Sequence, residues 1–154
     1  GFITYKTELS GLINGTTLNQ PTQFSETCLM VIDIDHFKQV NDVYGHLMGD
    51  QVIQFVAEKL KENIRTSDLL VRYGGDEFIV LIENVGMERA LKIAEKIRSE
   101  IYEAKSVDNV RCPDLKVSIS IGVAIGATSW MALLEKADRA LFQAKEQGKN
   151  KVAS

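Results

Sequence analysis

The 154-residue chain is 45% hydrophobic and 25% charged, which is the size and apolar content of one globular domain over residues 1–154. Its net charge of −3 excludes a global basic field, and no apolar run approaches the roughly 20 residues of a membrane span, so we expect no nucleic-acid partner and no membrane contact by this chain. The two cysteines, Cys28 and Cys112, lack metal-site spacing and indicate a reducing, cytoplasmic compartment. Because the chain begins with Gly1, we expect it to be the C-terminal part of a longer sensory or regulatory protein, which could itself be membrane-anchored.

Strand-like and helix-like patterns alternate along the chain. The predicted elements, in order, are a buried strand in CLMVIDID (28–35), a helix from Asp50 to Ile64, two hairpin strands in LLVRY (69–73) and FIVLIE (78–83), a helix from Ala90 to Ile101, a strand from Val117 to Val123, and a helix from Leu133 to Ala144 that ends at Gly148. Gly74 and Gly75 separate the hairpin strands, since glycine tolerates the positive φ that tight hairpin turns require. Interleaved strands and helices with a central hairpin predict an α/β sandwich.

Acidic residues follow the first strand and occupy the hairpin tip. Asp33 and Asp35 end the strand, and Asp76 and Glu77 follow the two glycines. If these carboxylates converge at one edge of the sheet, they repel one another unless a divalent cation neutralises them, and hard oxygen ligands suit Mg²⁺ or Mn²⁺. The alternative interpretation is that they are solvated acids of a strand end and a turn.

The segment DHFKQVNDVYGHLMGD (35–50) begins like a helix and is predicted to break around Gly45 and Gly49. Backbone N–H groups at the start of a helix have no partner within the helix, so they can hold phosphate oxygens. The residues at this predicted phosphate-binding turn are His36, Phe37 and Lys38.

Two polar side chains of the same segment suit a guanine base. An aspartate such as Asp50 can accept two N–H bonds from the guanine edge, and an asparagine such as Asn41 can match its mixed donors and acceptors. The alternative is ordinary capping at a helix end.

The combined motifs resemble those of one family. The string D-x-D-x-F-K-x-x-N-D-x-x-G-H-x-x-G-D, followed by R-x-x-D and G-G-D-E-F, is similar to the GGDEF domain of the diguanylate cyclase family, and the likeness extends from LSGLIN to AKEQGKNKV. The resemblance implies an α+β fold like a nucleotide cyclase or palm, with a central, mostly antiparallel sheet, flanking helices and the GGDEF motif on a β-hairpin. It also implies that two domains of a homodimer each hold one GTP and condense the pair to cyclic di-GMP with Mg²⁺.

The resemblance assigns roles to individual positions. The implied metal ligands are Asp33, the backbone carbonyl of Ile34, and Asp76. Asp76 is also the implied base for the ribose 3′-hydroxyl, and Glu77 is expected to help bind or position the metal. The implied substrate-binding residues are Phe37 and Lys38 at phosphate, Asn41 and Asp50 at guanine, His46 in the same motif, and Lys145 and Lys149 at the triphosphate. For the two lysines the alternative is a solvated helix end, where basic residues favour the dipole.

RTSD (65–68) precedes Gly74 at the spacing of a product-inhibition site in the family. Arg65 is expected to bind a phosphate or guanine edge of cyclic di-GMP, and Asp68 to accept guanine N–H groups. The alternative is a surface ion pair. Lys96 occupies a position where some relatives have a second arginine, which predicts weaker product binding.

The N-terminal motif departs from the family pattern. Residues 7–15 read TELSGLING and lack the acidic and basic ends of the usual D-x-L-T-G-L-x-N-R, which could loosen the join to an upstream segment or alter the dimer. Three functions therefore stay open: an active cyclase, a weakly active GGDEF module that binds GTP or cyclic di-GMP as a signal, and a palm-like nucleotide cyclase or polymerase with another base. The guanine pair disfavours the third.

Overall fold

A computed structural model describes residues 26–104 and 115–154. Five strands and four helices lie in these two ranges. They are β1 (Thr27–Ile34), α1 (Phe37–Tyr44), α2 (His46–Asn63), β2 (Leu69–Arg72), β3 (Glu77–Glu83), α3 (Met87–Glu103), β4 (Ile119–Ile125), α4 (Trp130–Glu146) and β5 (Val152–Ala153). Motif residues 7–15 and Cys112 lie outside the described ranges.

The strands form one sheet in the order β2-β3-β1-β4-β5. All neighbours are antiparallel except β4 and β5, which are parallel. This arrangement confirms the expected α+β fold with a mostly antiparallel sheet. Within the described ranges, no helix combines the length and apolar character needed to cross a bilayer.

Both faces of the sheet are covered, which explains why β1 is apolar along its length. Cys28, Met30 and Ile32 pack on one face, in a core shared with α2 and α3. Leu29 and Val31 point to the other face, in a core shared with α4. A strand buried on both faces shows no alternation of apolar and polar residues. The burial of β1 agrees with the buried strand predicted from its apolar sequence. The central position of β1 carries its C-terminal end, and therefore Asp33, to the middle of one sheet edge.

Three local expectations were wrong. Gly45, with φ of 89°, ends α1, but Gly49 lies buried inside α2 and does not interrupt it. Neither Gly74 nor Gly75 adopts a positive φ, so the turn between β2 and β3 does not use the left-handed freedom of glycine. Val117 precedes β4, which begins only at Ile119. The short β5 was not predicted, because two residues carry too little pattern to recognise.

Candidate active site

Three carboxylates meet where β1 and β3 run side by side. Asp33 on β1 pairs with Glu77, the first residue of β3, and the N–H of Ile34 donates to the carbonyl oxygen of Asp76 at 3.0 Å. Oxygens of Asp33, Asp76 and Glu77 consequently lie within 4.8 Å of one another. The predicted convergence of the strand end and the hairpin is therefore present for these three acids.

Asp33 is the buried member of this acidic cluster, with 7% of the residue exposed. Burial raises the pKa of Asp33 to about 6, and the neighbouring Asp76 adds to the rise while Lys145 opposes it. Its Oδ1 has no hydrogen-bond partner among the described residues. A buried carboxylate oxygen without a partner is costly, and a bound cation would satisfy it.

Lys145 supplies positive charge to the cluster. It lies in the last turn of α4, and its ammonium forms an ion pair with Oδ2 of Asp33. Partial burial would lower the pKa of Lys145, but Asp33, Glu77 and Asp76 together raise it, so the lysine is held in its charged form. Lys149 follows in the turn after α4, with a left-handed φ of 65°. Lys145 therefore lies at the end of α4, where it contacts the acidic cluster, and Lys149 lies in the turn that follows.

The predicted phosphate-binding turn lies directly after Asp35. His36 has left-handed dihedrals and precedes α1, and its side chain forms no capping hydrogen bond to the described part of the helix. The first helical hydrogen bond runs from the N–H of Val40 to the carbonyl of His36 at 3.1 Å. The amides of Phe37 and Lys38 therefore precede the hydrogen-bonded ladder and are available to an anion.

The residues predicted to bind guanine lie on two successive helices. Asn41 is on α1, and Asp50 is on α2 directly after Gly49. A Cβ at Gly49 would overlap Oδ1 of Asn41, so the missing side chain makes room for the asparagine amide. His46 is the exposed first residue of α2. The structure thus seats Asn41 against the backbone that carries Asp50.

Asp35 does not join the acidic cluster, contrary to the expectation for the strand-end pair. Its carboxylate is buried and accepts hydrogen bonds from Ser118 Oγ at 2.7 Å, Ser120 Oγ at 2.6 Å and the N–H of Asn150 at 2.9 Å. Asp35 therefore fits neither of the two interpretations, a metal ligand of the cluster or a solvated acid. Its partners lie far away in sequence, so no local pattern indicated them.

The Arg65 cavity is a second candidate site, between the α2–β2 connection and α3. It has a volume of about 370 Å³ and is lined by residues that include Arg65, Asp68 and Lys96. Arg65 donates to Oδ1 of Asp68 at 3.1 Å and to the carbonyl of Glu83 at 2.9 Å. Asp68 is already paired with Arg65, so direct acceptance of guanine N–H groups by its carboxylate needs a change of partner.

Sequence reasoning missed three basic residues near these sites. Arg72 donates to the carbonyls of Gly74 and Gly75, at 3.3 and 2.7 Å, and so holds the turn that leads to Asp76. Arg89 and Lys92 line the Arg65 cavity beside Lys96. The spacing of 89, 92 and 96 along a predicted helix was a usable signal, because residues three and four apart share a helix face.

The sheet order and the acidic cluster on two neighbouring antiparallel strands define the class: an α+β domain with a candidate cation site at one sheet edge. Residues 11–151 match the family model described as "Diguanylate cyclase, GGDEF domain". The chain belongs to the GGDEF family.

Similar proteins support this assignment. The chain is 41% identical over 140 residues to the "Probable diguanylate cyclase DgcT" of Escherichia coli, covering 89% of this chain and 31% of that protein. It is 39% identical over 140 residues to "Diguanylate cyclase A" of Treponema denticola, covering 88% and 37%. The chain therefore spans about a third of the length of these relatives. Its fold matches the GGDEF domain of DgcB from Caulobacter crescentus, solved in complex with c-di-GMP, with a TM-score of 0.87, 28% identity, and coverage of 98% and 90%.

Proposed function

We propose that this domain is a diguanylate cyclase, which condenses two GTP molecules into cyclic di-GMP and releases two pyrophosphates. The observation that carries the proposal is the meeting of Asp33, Asp76 and Glu77 beside the start of α1, in a chain of the GGDEF family. Relatives named as diguanylate cyclases at about 40% identity support the same activity.

The acidic cluster fits a divalent cation. Oδ1 of Asp33, which has no hydrogen-bond partner in the described ranges, and the close carboxylates are the hard oxygen donors that Mg²⁺ binds, with Mn²⁺ as the alternative. We assign Asp33, Asp76 and the backbone carbonyl of Ile34 as ligands, with Glu77 assisting. A bound cation would neutralise phosphate charge and stabilise attacking and leaving oxygens.

The chain's own residues would position the nucleotide. The Phe37 and Lys38 amides would bind phosphate oxygens, and Lys145 and Lys149 would supply positive charge to the triphosphate. Asn41 and Asp50 would pair with the guanine edge, with His46 beside them. Holding both reacting groups in place is a large part of the catalysis that such a site can provide.

The reaction consists of two equivalent displacements. The 3′-oxygen of each GTP attacks the α-phosphorus of the other, and each new P–O bond replaces a bond to pyrophosphate. Asp76 is the proposed acceptor of the 3′-hydroxyl proton. Since one domain offers one acidic cluster among its described residues, two copies facing each other complete the site, and we propose a homodimer as the active form.

We further propose that the Arg65 cavity binds the product and limits turnover. Four cationic side chains line it, and they are Arg65, Arg89, Lys92 and Lys96. The complex of the similar DgcB domain with c-di-GMP supports a product-binding role. The same cavity favours a second candidate function, a module that binds cyclic di-GMP and turns over little GTP.

Incubation of the purified domain with GTP and Mg²⁺ over a protein-concentration series tests the proposal. We expect cyclic di-GMP, with specific activity that rises with concentration because the site is shared. Asp76→Asn should abolish turnover and keep the fold, whereas Glu88→Gln, an exposed acid on α3, should change neither. Normal production by Asp76→Asn would overturn the assignment.

Calorimetric titration with cyclic di-GMP separates the two candidates and tests the cavity. Arg65→Ala should lose most product binding and keep turnover, and Arg139→Ala, an exposed arginine paired with Glu135, is the matched control. Product binding without turnover in the wild type would favour the binding module. Equal product binding by Arg65→Ala and wild type would leave Arg65 and Asp68 as a surface ion pair.

A further inference from the structure

The turn after α4 has an unusual backbone. Gly148, Lys149 and Asn150 have φ values of 114°, 65° and 47°, so three consecutive residues lie in the left-handed region. Lysine and asparagine adopt this region at a cost, and such conformations persist only where surrounding contacts hold them. The turn contains Lys149, so whatever holds it also determines where that ammonium can reach.

Asn150 is held from two sides. Its N–H donates to Oδ2 of the buried Asp35 at 2.9 Å, and its side-chain Oδ1 accepts from Arg98 Nη1 at 2.8 Å. Arg98 lies on α3 and is itself fixed by Glu95, whose Oε2 accepts from Arg98 Nε at 2.9 Å. The side chain of Arg98 is only 18% exposed, so its contact with Asn150 is shielded from solvent better than a surface pair. We call Asp35, Asn150 and Arg98 the Asn150 clamp.

The clamp joins two halves of the proposed site. Asp35 follows Asp33 by two residues, and Asn150 directly follows Lys149. Ser118 and Ser120 also donate to the Asp35 carboxylate, so both of its oxygens are hydrogen-bonded and the acid is fixed to β4 and the segment before it. The hydrogen bond from the Asn150 N–H to the Asp35 carboxylate therefore ties the Lys149 turn to the chain segment that carries Asp33.

We propose that Asp35, Asn150 and Arg98 are positioning residues that hold Lys149 within reach of the nucleotide triphosphate. The inference rests on the proposed function, because it takes Lys149 as a triphosphate-binding residue. Arg98 and Asp35 act through the backbone of the turn and do not touch the substrate. Their effect on anion binding should disappear once Lys149 is replaced, which a purely structural role would not predict.

A double-mutant cycle tests this coupling with Mg²⁺ and inorganic tripolyphosphate as the probe, measured by calorimetry. Tripolyphosphate has no base, so the guanine residues cannot contribute. Lys149→Met should weaken binding about 10-fold, as expected for loss of one charge-assisted contact. Arg98→Met should weaken it about 3- to 10-fold in the wild-type background and by less than about 2-fold in the Lys149→Met background.

A second variant protects the test against misfolding. Asn150→Gly removes the acceptor for Arg98 and tolerates the left-handed backbone, so it should fold and show the same dependence on Lys149. Arg139→Met, which removes an exposed arginine of the i,i+4 pair with Glu135, is the control and should leave binding unchanged. Additive losses in the cycle, or no loss from either clamp variant, would overturn the proposal.

Turnover of GTP by the same proteins separates this inference from the proposed function. If the variants show coupled losses of tripolyphosphate binding but the wild-type chain makes no cyclic di-GMP, the clamp is supported and the cyclase activity is overturned. Cyclic di-GMP production together with additive losses would support the cyclase and overturn the clamp.

Discussion

Gly49→Ala should damage nucleotide recognition without damaging the fold. Gly49 is buried inside α2, and a Cβ there would overlap Oδ1 of Asn41, lie 3.0 Å from Asn41 Cγ and lie 3.3 Å from Phe37 Cζ. The closest atom is the end of a flexible side chain, so the asparagine amide can swing away while the helix stays in place. Asn41 is the residue that we expect to pair with guanine.

The structure sets the size of both effects. Alanine in a helix interior is favoured over glycine by up to about 1 kcal/mol, and an asparagine forced off its preferred rotamer costs about the same, so the free energy of unfolding should change by less than about 1 kcal/mol. Loss of the Asn41 hydrogen bonds to guanine should cost about 1.5–3 kcal/mol, which is about 10- to 150-fold in GTP affinity. Affinity for ATP should change much less, because its base does not match this pair.

The assay compares GTP and ATP binding with thermal unfolding for wild type, Gly49→Ala and Gly86→Ala. Gly86 is the N-cap of α3, and a Cβ there would meet no described atom within 4 Å, so this control should bind both nucleotides as the wild type does, with at most the small stability loss of an N-cap alanine. Wild-type GTP affinity in Gly49→Ala would refute the reasoning. A fall in stability large enough to account for weaker binding would refute it equally, since the argument requires a folded helix.

Other expectations concern packing and titration. Gly122→Ala should destabilise the domain by about 3 kcal/mol in urea unfolding, because its Cβ would overlap backbone atoms of α4, and a loss below about 1 kcal/mol would contradict this close approach. Because the pKa of Asp33 is raised to about 6, this residue stabilises the metal-free domain below pH 3.8, and that contribution is lost as pH rises through 6. The deprotonated carboxylate is the better metal ligand, so calorimetry should find tighter Mg²⁺ binding at pH 7.5 than at pH 5. Burial raises the pKa of Cys28 to about 12, so in a Cys112→Ser variant iodoacetamide at pH 8 should modify Cys28 only upon unfolding, and rapid modification of the native protein would show an open site.

The order of strands and helices could be predicted because each long element carries its own periodicity. The apolar run of β1 indicated a strand buried on both faces, and the stripe from Val52 to Leu60 indicated one face of α2. These patterns arise from burial, which acts on every residue of an element. The two-residue β5 had no such pattern, and it exists because the turn after α4 brings Val152 beside Ile121.

Local rules failed where a distant contact decides the conformation. Glycine is a common helix breaker, which predicts a break at Gly49, but the missing side chain there instead makes room for Asn41 of the neighbouring helix. Gly74 and Gly75 were explained by positive φ, which the turn does not use. A Cβ at Gly75 would meet no atom of residues 26–104 or 115–154 within 4 Å, so neither strain nor packing against these residues explains that glycine. Close approach of a nucleotide is the physical reason that we propose.

Asp33 and Asp35 belong to one short motif, but their hydrogen bonds show that they have different roles. Both are 7% exposed, and burial alone assigns them the same role. The carboxylate of Asp35 receives three hydrogen bonds from β4, its approach and the Lys149 turn, and a buried anion satisfied in this way stabilises the structure around it. Asp33 keeps an oxygen to which no described residue donates a hydrogen bond, and a bound cation would offset the free-energy cost of burying that oxygen. Asp35, whose oxygens are hydrogen-bonded, therefore stabilises the edge of the sheet, and Asp33 offers an oxygen there that could bind a cation.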